Sequence, residues 1–196
     1  MNLTEMRARL REDLQDTDSQ NYRWTDAEIE GAIERVVMEY SLNAPIEQQD
    51  DIATTDGDTE LDISSLSGLL EIESVEFPIG QTPKYMQRFE YWAGHLYMED
   101  EGDGEDARVR WLKKHTLDAQ STTIPAEHEE IIVLGATGYL AMSAAAYTVD
   151  QASIAGRHAT SNYKAWGRER LDRYDKKLKA IARTSRVIQR TFYTDE

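Results

Sequence analysis

The sequence predicts an α+β fold, with helices at both ends of the chain and an antiparallel β insertion between the second and third helices. Three observations carry that expectation. Apolar residues recur at spacings of three and four before Pro45 and again after Ile124, the period of amphipathic helices. Between those limits the period falls to about two, and Gly and Ser clusters separate the runs. A helix start is also spelled out residue by residue at Thr25. The expected organisation is residues 1–48 as the N-terminal helices of a helical bundle, 49–121 as the β insertion, 122–186 as the C-terminal helices of the bundle, and 187–196 as a tail.

Leu3, Met6, Leu10 and Leu14 form one apolar stripe on a first short helix, and Gln15 to Asn21 follow as a polar link. Thr25 and Glu28 are spaced as a capping box, with Trp24 and Ile29 placed as a hydrophobic staple. Asp26 and Glu28 suit the positive end of the helix dipole. Ile29, Ile33, Val36, Val37 and Tyr40 supply the core face of this second helix, which ends at Pro45.

The β insertion reads as strands from about Asp51 to His115. Leu61 and Ile63 alternate with acids, and Ser64, Ser65, Ser67 and Gly68 mark a turn. Leu70 and Ile72 alternate, then Val75 and Phe77 continue one residue out of phase, which predicts a β-bulge near Ser74. Met86 to Tyr91 and Leu96 to Met98 read as two strands around a turn at Gly94, and Val109 with Trp111 as another. The acidic, glycine-containing stretch Glu99 to Asp106 reads as an exposed hairpin tip.

Helical signals return at Ile124-Pro125, with Glu127, Glu129 and Glu130 in the first turn. The uncharged run Ile131 to Tyr147 contains Gly, Ser and Thr and falls short of the ~20 predominantly apolar residues a bilayer requires. It reads as a buried central helix. Gly135 and Gly138 fall near one of its faces and predict close approach of a neighbouring backbone. The last helix, roughly Thr160 to Arg186, carries Leu171, Tyr174, Leu178 and Ile181 as its apolar stripe.

Composition bounds the chemistry. The chain has no cysteine, which removes disulfides, thiolate nucleophiles and Cys-based zinc sites and fits a reducing compartment. Met1 to Arg7 show no signal-peptide pattern. The formal charge of −15 is unevenly spread: −21 from Met1 to Gly156, and +6 from Arg157 to Glu196. An acidic body with a basic end predicts two different electrostatic partners. Only seven of the 22 basic residues are Lys, against 37 acids, a balance suited to a salty cytoplasm.

Catalytic and metal motifs are missing from the sequence. His95, His115, His128 and His158 form no His-x-x-x-His pair, and His128 reads as part of a solvated first turn. His115 reads as a loop or packing residue. Asp56-Gly57-Asp58 and Asp100 to Gly104 lack the spacing of a calcium loop, and turn chemistry explains them. No phosphate-binding glycine loop or nucleophile elbow is present. No cofactor, catalytic residue or metal ligand is therefore expected.

The basic C-terminal helix holds most of the functional signal. Arg157, Lys164, Arg168, Arg170, Arg173, Lys176, Lys177, Lys179, Arg183 and Arg186 fall within about thirty positions. Three readings fit: a solvated basic face, phosphate binding, or docking onto an acidic protein surface. Tyr163, Trp166, Tyr174, Phe192 and Tyr193 add the bulky anchors that interfaces favour.

The opening Leu3-Thr4-Glu5-Met6-Arg7-Ala8-Arg9-Leu10, then Trp24 to Ile29 and Tyr40-Ser41-Leu42-Asn43-Ala44-Pro45, resembles head–tail connector (adaptor) proteins of tailed viruses. Thr123 to Glu130 running into Leu134-Gly135-Ala136-Thr137-Gly138-Tyr139 extends the likeness. It covers roughly Leu3 to Pro45 and Thr122 to Asp150; the β insertion and C-terminal segment match in kind rather than in residues. The resemblance implies a non-enzymatic virion subunit, assembled in the host cytoplasm, that forms a homo-oligomeric ring of about twelve copies beneath the portal. Viral double-stranded DNA passes transiently through such a ring, a neck or tail protein docks below it, and no membrane is involved. It further implies portal docking by the C-terminal segment, here Arg168, Arg173, Lys176, Lys177, Lys179, Arg183, Arg186, Arg190, Phe192 and Tyr193. The alternative is a DNA-binding packaging or regulatory protein that uses the basic helix.

Overall fold

The structure is a computed structural model that describes residues 1–150 and 157–185. It is an α+β fold with two compact units: Met1–Ala44 with the chain from His115 onward, and Pro45–Lys114. The β unit thus occupies narrower bounds than the expected 49–121. At one end Pro45 stops the helix and Ile46 already begins a strand. At the other end His115 belongs with the helices, because its amide donates to Ser41 and its Nε2 lies 2.9 Å from the Ala44 carbonyl.

In the helical unit, α1 spans Leu3–Asp13 and buries Met6 and Leu10. Its start is fixed by a capping box between Asn2 and Glu5, which the apolar stripe alone did not predict. Helix α2, Asp26–Asn43, begins with the expected box: Glu28 donates its amide to the Thr25 hydroxyl at 3.2 Å, and the Glu28 carboxylate accepts from the Thr25 amide at 2.7 Å. Such caps contribute about 1 kcal/mol each. Trp24 and Ile29, the expected staple, are both buried.

The link between these helices is more than polar chain. Arg11 is buried and holds Asp16 at 2.7 Å, the Trp24 carbonyl at 3.1 Å and Asp26 at 2.6 Å, while Tyr22 covers its guanidinium. Asp16 in turn accepts the Arg23 amide at 2.7 Å. One planar cation with a forked donor set therefore fixes the turn from α1 into α2.

A 3-10 turn, Ala126–His128, precedes α3, Glu129–Asp150, and α4 runs Arg157–Ser185. The α-helix thus starts one short turn later than expected, with Pro125 ahead of the 3-10 turn. Met6, Leu10, Ile33, Val36, Ile132, Leu140, Tyr174 and Leu178 meet in one core drawn from all four helices. Small residues let α3 and α4 come close: a Cβ on Gly138 would lie 2.8 Å from Leu171, and one on Gly167 would lie 3.1 Å from Ala141. No helix among the described residues is long and apolar enough to cross a membrane.

The β unit contains two antiparallel sheets. The first has the order β1 (Ile46–Ala53), β7 (Asp106–Lys113), β3 (Leu69–Glu76), β4 (Met86–Gln87). The second has the order β2 (Glu60–Asp62), β6 (His95–Met98), β5 (Phe89–Trp92). Leu61, Ile63, Val75, Phe77, Leu96, Met98, Val109 and Trp111 form the core of this unit. The register between β3 and β7 shifts at Ile72/Ser74, where the phase slip in the sequence places a bulge, and again at Leu69/Glu71. Ala93 and Gly94, with φ of 49° and 88°, make the two-residue turn between β5 and β6. Both positive φ values suit a hairpin turn of this length.

Three expectations need correction. Strand β1 was not expected, because Ile46–Ala53 is an edge strand whose acids and amides face solvent, so no alternation marks it. Met86 to Tyr91 is not one strand: it breaks at Arg88, with β4 in one sheet and β5 in the other. The stretch Glu99 to Asp106 is not a hairpin tip but the link from one sheet to the other. Gly102 in that link is buried against the 54–58 turn, donating to Asp58 and accepting from Gly57.

Candidate functional site

The basic helix α4 is held by its inner face. Glu39 of α2 is the hub: its carboxylate accepts from Tyr139 of α3 at 2.8 and 3.0 Å, from Tyr174 of α4 at 3.1 Å, and from Arg35 Nε at 3.1 Å. Burial is the main cause that raises the Tyr174 hydroxyl above its ordinary range, and the Glu39 charge and hydrogen bond add to it. Tyr139 is raised for the same two reasons. The Glu39 hydrogen bond, opposed by burial, holds the Arg35 guanidinium above its usual value. Both phenols therefore stay protonated and serve as donors. Beside this hub lies a groove of about 430 Å³ lined by Leu42, Tyr139, Leu171, Asp172 and Asp175.

Further ties fix the helix. Arg170 pairs with Asp13 at 2.9 Å and lies over Trp166. Arg23 donates to the Tyr163 hydroxyl at 2.6 Å. Lys177 reaches Glu130 at 3.2 Å. These contacts orient α4, so its remaining cations project from a defined side.

At 3.6 residues per turn, Arg168, Lys176, Lys179 and Arg183 share the side away from buried Tyr174 and Leu178. All four are exposed. Lys179 pairs with Asp175, whereas the described residues give Arg168, Lys176 and Arg183 no carboxylate within 4 Å. Arg173 points elsewhere and pairs with Glu169. The structure therefore brings four of the expected docking residues into one row and places Arg173 and Lys177 beside it. Arg186, Arg190, Phe192 and Tyr193 lie outside the described residues.

The histidines behave differently from one another. His115 is buried, its ring tilted against Tyr40 with centroids 4.9 Å apart and its Nδ1 3.0 Å from the Thr123 carbonyl, and is the packing residue the sequence suggested. Burial lowers its pKa against the pull of the two carbonyls, and nearby His128 adds to the lowering. His128 is not the solvated residue expected: its Nδ1 is hydrogen-bonded to the Tyr40 hydroxyl at 2.6 Å. The Tyr40 hydroxyl is pushed up to about 12 by burial and by the Glu127 charge. The sequence signal that could have found this cluster is the Tyr40 position at the end of an otherwise apolar stripe, where a buried phenol needs a partner.

Among the described residues no group of His, Asp and Glu is arranged to hold a metal ion. The most buried carboxylate, Glu76, pairs with Lys84 at 3.1 Å and Arg110 at 3.2 Å. Burial alone would raise its carboxyl, but the Lys84 hydrogen bond, the Gly80 amide and the two cations carry it below the ordinary value. A general acid working near neutrality would need the opposite shift.

The chain matches no protein-family model. No curated protein matches it significantly.

Proposed function

We propose that this protein is a structural connector subunit of a tailed virus, which joins a portal above to a neck or tail component below. The observation that carries the reading is the rigidly held α4, which presents a row of exposed cations while the rest of the chain is strongly acidic. A helix clamped on one face and charged on the other is built to meet a surface, not to bind a small molecule. The resemblance of the Leu3–Pro45 and Thr122–Asp150 segments to connector proteins supplies the kind of surface. In this reading copies form a ring, commonly of twelve, and the basic end of the chain engages an acidic portal. The acidic body would let DNA slide through without adhering, since like charges repel phosphate at range.

A second reading has one observation in its favour. Arg168, Lys176 and Arg183 have no carboxylate partner among the described residues, which leaves them free for phosphates. Duplex binding through them would weaken steeply with salt, with a slope set by the number of phosphates neutralised. The net charge of −15 opposes it.

Sequencing the genes on either side of this one separates the two. A portal or capsid gene upstream with tail genes downstream is the expected result. Metabolic or regulatory neighbours would overturn the connector reading and leave duplex binding as the function to test.

A further inference from the structure

We propose that the outer face of the β2-β6-β5 sheet is a docking site for the solvent-facing row of α4 on a second copy of this chain, so that copies join head to tail. This deepens the connector reading, on which it rests for closure into a ring, and divides the cations of α4 between two partners.

The sheet face follows from register. Leu61, Leu96 and Met98 point into the core. Their neighbours along the strands therefore point out. Pairing then sets two rows across the strands: Glu60, Tyr97 and Glu90 in one, and Asp62, His95 and Trp92 in the next. His95 Nδ1 sits 2.9 Å from Glu60. Trp92 is 71% exposed and Tyr97 38%, large rings standing in water beside three carboxylates. Of the exposed large side chains between Tyr85 and Tyr97, Trp92 and Tyr97 stand on this face, whereas Tyr91 pairs with core-facing Leu96 and Met86 belongs to the other sheet. Two exposed rings, Trp92 and Tyr97, flanked by carboxylates suit a contact surface.

The occupant is argued from charge and spacing. The segment Pro45–Lys114 carries 17 acids against six Lys/Arg, whereas Arg157–Ser185 carries nine Lys/Arg against three acids. Glu60 and Glu90 stand on the two outer strands, ~10 Å apart at the usual strand spacing, with the Tyr97 ring between them. On α4, Lys176 and Arg183 lie on one side of the helix and are also ~10 Å apart along its axis, with Lys179 between them. A helix laid across the strands would set Lys176 and Arg183 against the two glutamates. Lys179 would then lie over the aromatic ring, where a cation is favoured. The interface is heterologous: each copy offers one sheet and one helix, so the contact propagates rather than ending at a dimer. In a ring, Arg168 at the start of the row, Arg173, Lys177 and the chain beyond Ser185 are left for the portal.

A three-strand face is smaller than the ~800 Å² per partner of a stable complex, so pairing is weak, salt-sensitive and strengthened by closure. Sedimentation velocity on the full chain at low salt tests it. The wild type should associate with rising concentration and come apart in added salt. Glu60→Lys with Glu90→Lys, and separately Lys176→Glu with Arg183→Glu, should each weaken self-association at least tenfold. Mixed together, these two variants should associate again, because the intact helix row of one meets the intact sheet of the other and the two reversed surfaces also carry opposite charges. Circular dichroism checks that both stay folded, and Glu60→Gln with Glu90→Gln provides a milder pair. A wild type that stays monomeric, or reversed variants that ignore each other when mixed, would overturn the proposal. Binding to portal is scored on the same samples. Portal binding without pairing removes this inference alone, and pairing without portal binding removes the connector reading alone.

Discussion

Tyr174 of α4 donates its hydroxyl to Glu39 of α2 at 3.1 Å, and Tyr139 reaches the same carboxylate from α3. One acid thus ties three helices. Glu39→Ala strands a buried phenol without an acceptor. The expected loss is about 1–3 kcal/mol, the cost of an unsatisfied buried donor. Tyr174→Phe removes donor instead of acceptor and should cost less. Urea denaturation of the two variants measures the difference.

Two glycine substitutions should have opposite signs. A Cβ at Gly31 in α2 would meet no atom within 4 Å, so Gly31→Ala should stabilise by about 0.5–1 kcal/mol through helix propensity. At Gly138 the same methyl would meet Leu171 at 2.8 Å. Gly138→Ala should therefore lose about 1–3 kcal/mol despite the better propensity. Thermal melts of both variants give the comparison directly.

Arg11 and Asp16 form a buried ion pair whose removal is asymmetric. Arg11→Ala leaves Asp16 as an uncompensated charge and should cost about 3–5 kcal/mol. Arg11→Lys should recover only part of this, because an ammonium cannot hold Asp16, Asp26 and the Trp24 carbonyl in one plane. Denaturant midpoints for the two variants check the order.

The buried His115 makes stability depend on pH. Its pKa is lower in the folded chain than in the unfolded one, so below the unfolded value of about 6.5 the unfolded state binds more protons. Stability is therefore full above that pH, falls as pH drops through it, and stops falling from this cause below the folded pKa. His115→Gln should flatten the fall in stability that begins at about pH 6.5, as followed by urea denaturation across the acidic range.

Much of this fold could be read residue by residue. The Thr25–Glu28 box, the slip of phase before Val75, and the glycines at 135 and 138 each have one physical meaning, and the structure shows all three. What could not be read has equally local reasons. Strand β1 is written in acids and amides because it is an edge, and its pairing to β7 is supplied by a segment about sixty residues away. The break at Arg88 depends on which sheet each half joins, a long-range choice with no local mark. The surface was legible in part. The density of Lys and Arg in α4 named the helix, but only tertiary contacts show that Arg170 is tied to Asp13 while Lys176 and Arg183 face outward. The sheet face of Glu60, Tyr97 and Glu90 exists only through register, so no reading along the chain could assemble it.

In the proposed reading this chain joins a portal through its basic C-terminal end. The most direct measurement mixes portal rings from the same virus with the full chain and with a chain lacking Val187–Glu196, and follows co-sedimentation. The full chain should bind, and the shortened one, unchanged in its melting curve, should not. Equal binding by the two chains, or no binding by the full chain, would contradict it.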